Sequence, residues 1–215
     1  MSERPSHNAH FDDAALIVVD VQNDFCPGGS LAVPEGDQVV PVINKLAPLF
    51  PVVVATQDWH PPNHCSFREQ GGPWPPHCVQ GSFGAQLHPG LDQRWVSAYF
   101  KKGFLPEKDA YSGFEGQDEA GRPLAEVLRQ RGVHKVYVTG LATDYCVRAT
   151  ALDAVKAGFE VHVVTDATRG VNVQPGDDRK ALDEMRAAGA VLETSQEILA
   201  RANAVGSQTT RATQS

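Results

Sequence analysis

The eight residues GLATDYCV, from Gly140 to Val147, put a thiol where it could react. The run Val136-Tyr137-Val138-Thr139 ahead of them is apolar and β-branched and reads as a buried strand. The alanine, leucine and valine pattern that follows reads as a helix over 144–157. Cys146 then lies one turn into a helix that directly succeeds a strand. Unpaired backbone N–H groups and the positive end of the helix dipole at such a point favour thiolate over thiol and can hold a developing oxyanion. A free cysteine is also a small hydrophobe that fills cores, so a nucleophile needs partners elsewhere in the chain.

Those partners stand at the ends of other apolar runs. In open parallel sheets ligands sit beyond the carboxyl ends of the strands. Asp20 closes LIVVD, Asp58 follows VVVATQ, Lys101 or Lys102 ends YFKK, and Cys146 follows VYVTGLATDY. An acid or base, a metal ligand, a cation and a nucleophile would meet in one crevice. Each also has a plainer reading, as a turn former, a loop cap or a solvated lysine. Asp166, in VVTDAT, meets the same positional test, but it has no local partners and reads as a structural turn or cap.

The connection over 57–94 is rich in proline, glycine, histidine and tryptophan, and loops of that length inside a compact domain are usually functional. Asp58-Trp59-His60 opens it, His64 follows, and Trp74-Pro75-Pro76-His77-Cys78 comes later. Carboxylate and imidazole can share a divalent cation whose shell water completes. The same residues could be solvated loop histidines. A zinc module using Cys65 and Cys78 is opposed by the histidine directly before each cysteine and by the lack of paired-cysteine spacing.

The elements that must position these groups follow from hydrophobic period. Strands are expected over 15–21, 51–56, 95–101, 135–139, 161–165 and 191–193, and helices over 39–49, 124–131, 144–157, 177–188 and 195–202. Alternation of this kind builds βαβ units, so the fold class is α/β, with a mostly parallel six-stranded sheet between two helical layers. The 215 residues need only one domain, expected over 14–202, with disordered ends at 1–13 and 203–215. A formal charge of −7 argues against nucleic-acid and anionic-membrane partners. No apolar run approaches the roughly 18 residues of a bilayer span, and the start of the chain has no secretory h-region. With four cysteines and no C-x-x-C pair, a reducing cytoplasm is the expected location.

Taken in order, DVQNDF from Asp20, DWH from Asp58, WPPHCV from Trp74, KGF from Lys102, AYSGFEG from Ala110 and GLATDYCV from Gly140 resemble the nicotinamidase branch of the isochorismatase-like cysteine hydrolases, which includes the pyrazinamidases. The likeness runs from about Ala14 to Ala200. It implies a Rossmann-like topology and a catalytic triad of Asp20, Lys102 and Cys146, Lys102 being the lysine of the KGF form. The family's cis peptide falls between Leu141 and Ala142 and would aim the Ala142 N–H at the point faced by the Cys146 N–H, giving an oxyanion hole. The resemblance maps one divalent metal ion (zinc, iron or manganese) onto Asp58, His60 and His77, with His64 a direct or water-mediated ligand. Phe25, Trp74, Tyr111, Leu141 and Tyr145 would line the ring pocket.

The activity so implied is hydrolysis of nicotinamide, and of pyrazinamide, through a cysteine thioester, with a small-molecule substrate and the oligomeric state left open. Another amidase of the same fold, for carbamoyl or ureido substrates, would keep Cys146 but has less reason to carry the DWH and WPPHCV loop. A vinyl-ether hydrolase would lack the nucleophile. A metal-binding protein without catalysis would retain only the Asp/His site.

Overall fold

A computed structural model of the chain describes residues 11–212, with side chains described to 204. Six strands, β1 (Ala14–Val19), β2 (Val52–Asp58), β3 (Ala98–Lys102), β4 (Lys135–Leu141), β5 (Glu160–Arg169) and β6 (Val191–Glu193), form one sheet in the order β3-β2-β1-β4-β5-β6. Every strand pairing is parallel. The helices among the described residues are α1 (Val39–Leu46), α2 (Leu124–Gln130), α3 (Arg148–Lys156), α4 (Asp177–Ala187) and α5 (Ser195–Ala212), with several single turns between them.

β1 and β2 are buried at every position, as strands covered on both faces must be. This is why AALIVV and VVVAT show no polar alternation. Side chains of α1 and α5, with Phe11, Leu16, Val18 and Tyr137, fill one face, and those of α2, α3 and α4, with Ile17, Val19, Val54 and Val138, fill the other. Fully burying one such aliphatic side chain contributes ~1.5–3 kcal/mol, so the central strands make a stiff platform for whatever stands at their ends.

Several boundaries differ from the sequence reading: β1 stops at Val19, α1 at Leu46, β5 runs on to Arg169, and the two ends of the domain and the third strand differ as well. Phe11 is fully buried, with its ring 5.0 Å from that of Phe50 and 5.8 Å from that of Tyr137, so the packed chain begins ahead of residue 14. One aromatic among polar residues has no period by which to announce itself. α5 runs to Ala212 rather than stopping at 202; residues 1–10 and 213–215 of the expected disordered ends lie outside the described residues. The third strand starts at Ala98, because Gln93–Trp95 forms a 3-10 turn in which the Asp92 carboxylate accepts the Arg94 N–H at 3.2 Å.

The strand order reverses at β1, which has β2 on one side and β4 on the other, so a crevice opens beyond their carboxyl ends. Gly140 makes the close approach there. It lies opposite Val19 with φ +107°, and a Cβ would sit 2.1 Å from the Val19 carbonyl oxygen.

Candidate active site

Asp20 leaves β1 in the left-handed region, φ +48°, which is uncommon for a residue with a side chain. Its N–H donates to the Thr56 carbonyl at 3.1 Å and its Oδ1 accepts the Thr56 hydroxyl at 2.7 Å, so two bonds to β2 fix the carboxylate. Oδ2 lies 2.8 Å from Lys102 Nζ and, among the described residues, has no other hydrogen-bond partner. It is the oxygen left to take a proton.

Lys102 ends β3 directly opposite Asp58 in register and is fully buried. Its Nζ meets four groups: Asp20 Oδ2, Asp58 Oδ1, Cys146 Sγ at 3.4 Å and the Ala110 carbonyl at 3.5 Å. Lys101, on the opposite face of the strand, lies over the Trp59 ring at 3.9 Å instead. The pleat thus separates the two lysines of the doublet.

Cys146 lies in a π-helical turn, Thr143–Val147, where the expected helix opens, and α3 follows at Arg148. The Tyr145 and Val147 N–H groups both donate to the Ala142 carbonyl, each at 3.1 Å. Widened turns of this kind collect at functional sites. The Thr150 hydroxyl donates to the Cys146 carbonyl at 2.6 Å and accepts the Gly113 N–H at 2.9 Å, tying the turn to the segment beside it. The peptide between Leu141 and Ala142 is cis.

Burial pushes the Cys146 thiol well above its ordinary value; Lys102 pulls it down, but the Asp20 and Asp58 charges add to the rise. Two carboxylates share one ammonium here, and a thiolate beside them would be a third anion. Burial also raises Asp20, with Lys102 opposing and Asp58 reinforcing. Burial alone would lower Lys102, but the charges of Asp20 and Asp58 outweigh it and raise it well above the ordinary ammonium value. Asp58 goes the other way: burial would raise it, and Lys102 and His60 bring it well below the usual carboxylate range.

Asp58 also faces the long loop. Its Oδ2 is 3.3 Å from His60 Nε2 and 3.8 Å from His77 Nε2. His60 Nδ1 bonds to the Gly103 carbonyl at 2.7 Å and His77 Nδ1 to the Pro75 carbonyl at 2.8 Å, so both rings present Nε2 to the same carboxylate. Backbone anchoring of the second ring nitrogen is how ligand histidines are held. These three donors lie within 4.8 Å of one another, and one carboxylate with two imidazoles suits a divalent cation that keeps water. Gly103 is required here: its φ is +62°, and a Cβ would stand 2.5 Å from His60 Cε1. His64 lies elsewhere, stacked on His60 and grouped with His60 and Asp109 rather than with Asp58. Cys65 and Cys78 belong to none of the metal-type groups among the described residues.

Two residues of DVQNDF that sequence reasoning passed over secure this region. The Gln22 amide brackets Asp58, its Oε1 accepting the Asp58 N–H and its Nε2 donating to the Asp58 carbonyl, both at 2.9 Å. The Asp24 carboxylate accepts the Cys78 N–H at 2.8 Å and the Ser30 N–H at 3.2 Å, which joins the residue after His77 to the loop carrying Phe25. Polar residues that close a buried strand end are the signal that could have found them.

A cavity of about 60 Å³ opens beside these groups, and Asp58, His77, Ala142 and Cys146 all face it. Its walls include Phe25, Trp74, Tyr111, Leu141 and Tyr145, and also Leu31, Val33 and Val171. The Trp74 ring stands edge-on to Tyr145 at 5.3 Å, and its Nε1 donates to the Tyr111 hydroxyl at 3.2 Å, which holds the wall upright. The space is mostly apolar. An isochorismatase domain model matches residues 14–197. The chain belongs to the isochorismatase family.

Its relatives within that family are specific. An Escherichia coli nicotinamidase is 48% identical over 200 residues, 84% of this chain and 94% of the relative. The crystal structure of a Pyrococcus horikoshii pyrazinamidase in complex with zinc is 50% identical, covers 85% of this chain and 99% of that one, and superposes with a TM-score of 0.76. An L. infantum protein, PnC1, in complex with nicotinate is 43% identical, covers 89% and 96%, and gives 0.80. Asp166 has the structural part expected of it: its carboxylate accepts the Ser195 N–H at 2.7 Å and the Ser195 hydroxyl at 2.5 Å, pinning the start of α5 to β5.

Proposed function

We propose that this member of the isochorismatase family is a nicotinamidase that hydrolyses nicotinamide to nicotinate and ammonia, and also accepts pyrazinamide. The observation that carries the reading is the single ammonium of Lys102 touching Asp20, Asp58 and Cys146 Sγ at the edge of a mostly apolar cavity. A base, a nucleophile and a metal-type group share one buried charge.

The carboxamide carbon sits in front of Cys146. Asp20 Oδ2 accepts the thiol proton as sulfur attacks, and Lys102 balances the negative charge that passes between sulfur and carboxylate. The Ala142 and Cys146 N–H groups hold the tetrahedral oxyanion. Asp20 returns its proton to the departing nitrogen, ammonia leaves, and the acyl group remains as a thioester on Cys146. Water gives one proton to Asp20 and its hydroxyl to the acyl carbon; collapse expels the thiolate, which Asp20 reprotonates.

Asp58, His60 and His77 would hold the divalent cation, for which zinc, iron and manganese all suit the donor set. When bound, such a cation supplies a positive centre that can take the pyridine nitrogen directly or through its water. Phe25, Trp74, Tyr111, Leu141 and Tyr145 sandwich the ring, so that the carboxamide is oriented before the chemistry begins. No described helix is long and apolar enough to cross a membrane. The four cysteines are free, in keeping with the reducing cytoplasm in which we place the enzyme.

The test is ammonia release from nicotinamide by the purified protein, with and without a chelator. Turnover that falls with chelation and returns with added metal supports the assignment; no turnover in metal-loaded protein contradicts it.

A further inference from the structure

His64 lies in sequence between the metal-type residues His60 and His77, yet its ring nitrogens point elsewhere. The ring stacks on His60, centroids 3.9 Å apart at 25°. Its Nδ1 lies 2.7 Å from the Ser66 hydroxyl and 3.3 Å from the Ser66 N–H. A nitrogen that receives a backbone N–H is the acceptor of the ring, so the proton is assigned to Nε2. That Nε2 donates to the Lys108 carbonyl at 3.0 Å. Both nitrogens are therefore used within the protein.

Lys108 belongs to the segment over 103–111, which has no strand or helix of its own. The long loop holds it at two consecutive residues: the Cys65 N–H donates to the Pro106 carbonyl at 2.7 Å, and His64 holds Lys108. Just beyond, the segment delivers two groups to the active site. The Ala110 carbonyl lies 3.5 Å from Lys102 Nζ, and Tyr111 lines the cavity with its hydroxyl accepting from Trp74. Asp109 stiffens the turn between them, its carboxylate accepting the Ala110 N–H at 2.9 Å.

We propose that His64 is a positioning residue and not a metal ligand: its Nε2–H grips the Lys108 carbonyl and so holds the segment that sets Ala110 against Lys102 and Tyr111 against the substrate ring. The inference rests on the amidase reading for what the ring is, but not for where His64 points.

The experiment uses the full chain loaded with Zn²⁺ and compares the parent with His64→Ala and His64→Gln. A glutamine amide nitrogen can reach the place of the imidazole Nε2 and restore the donor. The readouts are bound zinc, nicotinate affinity by calorimetry, and hydrogen exchange of the amides over 105–111. Expected for His64→Ala are a full equivalent of zinc, nicotinate binding weakened about tenfold, as for one lost buried hydrogen bond, and faster exchange over 105–111. His64→Gln should recover most of both effects. Loss of zinc in both variants would make His64 a ligand and overturn the proposal. So would unchanged affinity and exchange in His64→Ala, or a glutamine variant no better than alanine. Should His64→Ala not fold, Ser66→Ala, which removes only the hydroxyl partner of Nδ1, should shift the same readouts in the same direction by about threefold, and no shift there would overturn it. A parent that binds no nicotinate and releases no ammonia contradicts the amidase reading instead, and zinc content with exchange over 105–111 then decides His64.

Discussion

Two regions meet in this site and are built in opposite ways. Asp20, Lys102 and Cys146 stand at or just beyond the ends of three strands of the sheet, where the backbone ladder fixes them. His60 and His77 stand on a long irregular connection, and side-chain-to-backbone bonds hold them: His60 on Gly103, His77 on Pro75, and Asp24 on Cys78. In the mechanism we propose, the first region would handle protons and bonds, and the second would read the substrate. They join at Asp58, whose Oδ1 bonds Lys102 and whose Oδ2 faces both histidines. A rigid platform suits chemistry that tolerates no misplacement, and a tethered loop suits recognition, which can be respecified without disturbing the sheet.

The comparison breaks most visibly at the nucleophile. Cys146→Ala should fold, keep metal and lose turnover by at least ~10⁴-fold, whereas His60→Ala and His77→Ala should lose metal together with substrate affinity. Elemental analysis beside kcat and KM checks this, and full metal occupancy in both histidine variants would remove the division. Next in size is benzamide, which keeps the amide and the ring but lacks the ring nitrogen. Its kcat/KM should fall below that of nicotinamide by up to about 10⁴-fold, since a site built around one polar contact rejects the analogue that lacks it. Near-equal values would leave the cation a structural role.

Smaller effects sharpen the boundary. Asp24→Ala removes the acceptor for the Cys78 N–H and should weaken metal affinity about 10–100-fold, as loss of an outer partner does, with iodoacetamide labelling of Cys146 in the metal-loaded protein unchanged. The smallest effect belongs to neither region. Burial would raise Glu193, but Arg201 and His162 outweigh it and hold its carboxyl below the ordinary 4.5. A depressed carboxylate contributes stability that is present above its unfolded value and lost as pH falls through the folded one. Glu193→Gln should therefore flatten the acid limb of thermal stability below about pH 4.5 and leave kcat at neutral pH unchanged.

The same contrast explains what could be read from the sequence. Strand ends are legible because β-branched runs locate them, so Asp20, Asp58 and Cys146 stood out as groups bound for one crevice. Lys102 could be told from Lys101 only by a motif, since which lysine faces inward depends on a strand that begins at Ala98, later than its apolar run. The loop histidines were visible as residue types, but which of them converge depends on bonds to Gly103, Pro75 and Lys108 carbonyls that no spacing encodes. Gln22 and Asp24 were hidden for the same reason: their partners lie 36 and 54 residues away. The sequence shows the helix start beside Cys146 but not how closely the carboxylates of Asp20 and Asp58 approach it, and their charges help raise its thiol.

The most direct test is rapid acid quenching of metal-loaded enzyme during turnover of nicotinamide, followed by mass analysis of the peptide that contains Cys146. The account predicts a nicotinoyl adduct on Cys146 that forms and decays within turnover, with ammonia released as it forms, and no adduct in Cys146→Ala or Asp20→Asn. Nicotinate appearing while that peptide stays unmodified at every quench time, together with turnover persisting in Cys146→Ala, would contradict it.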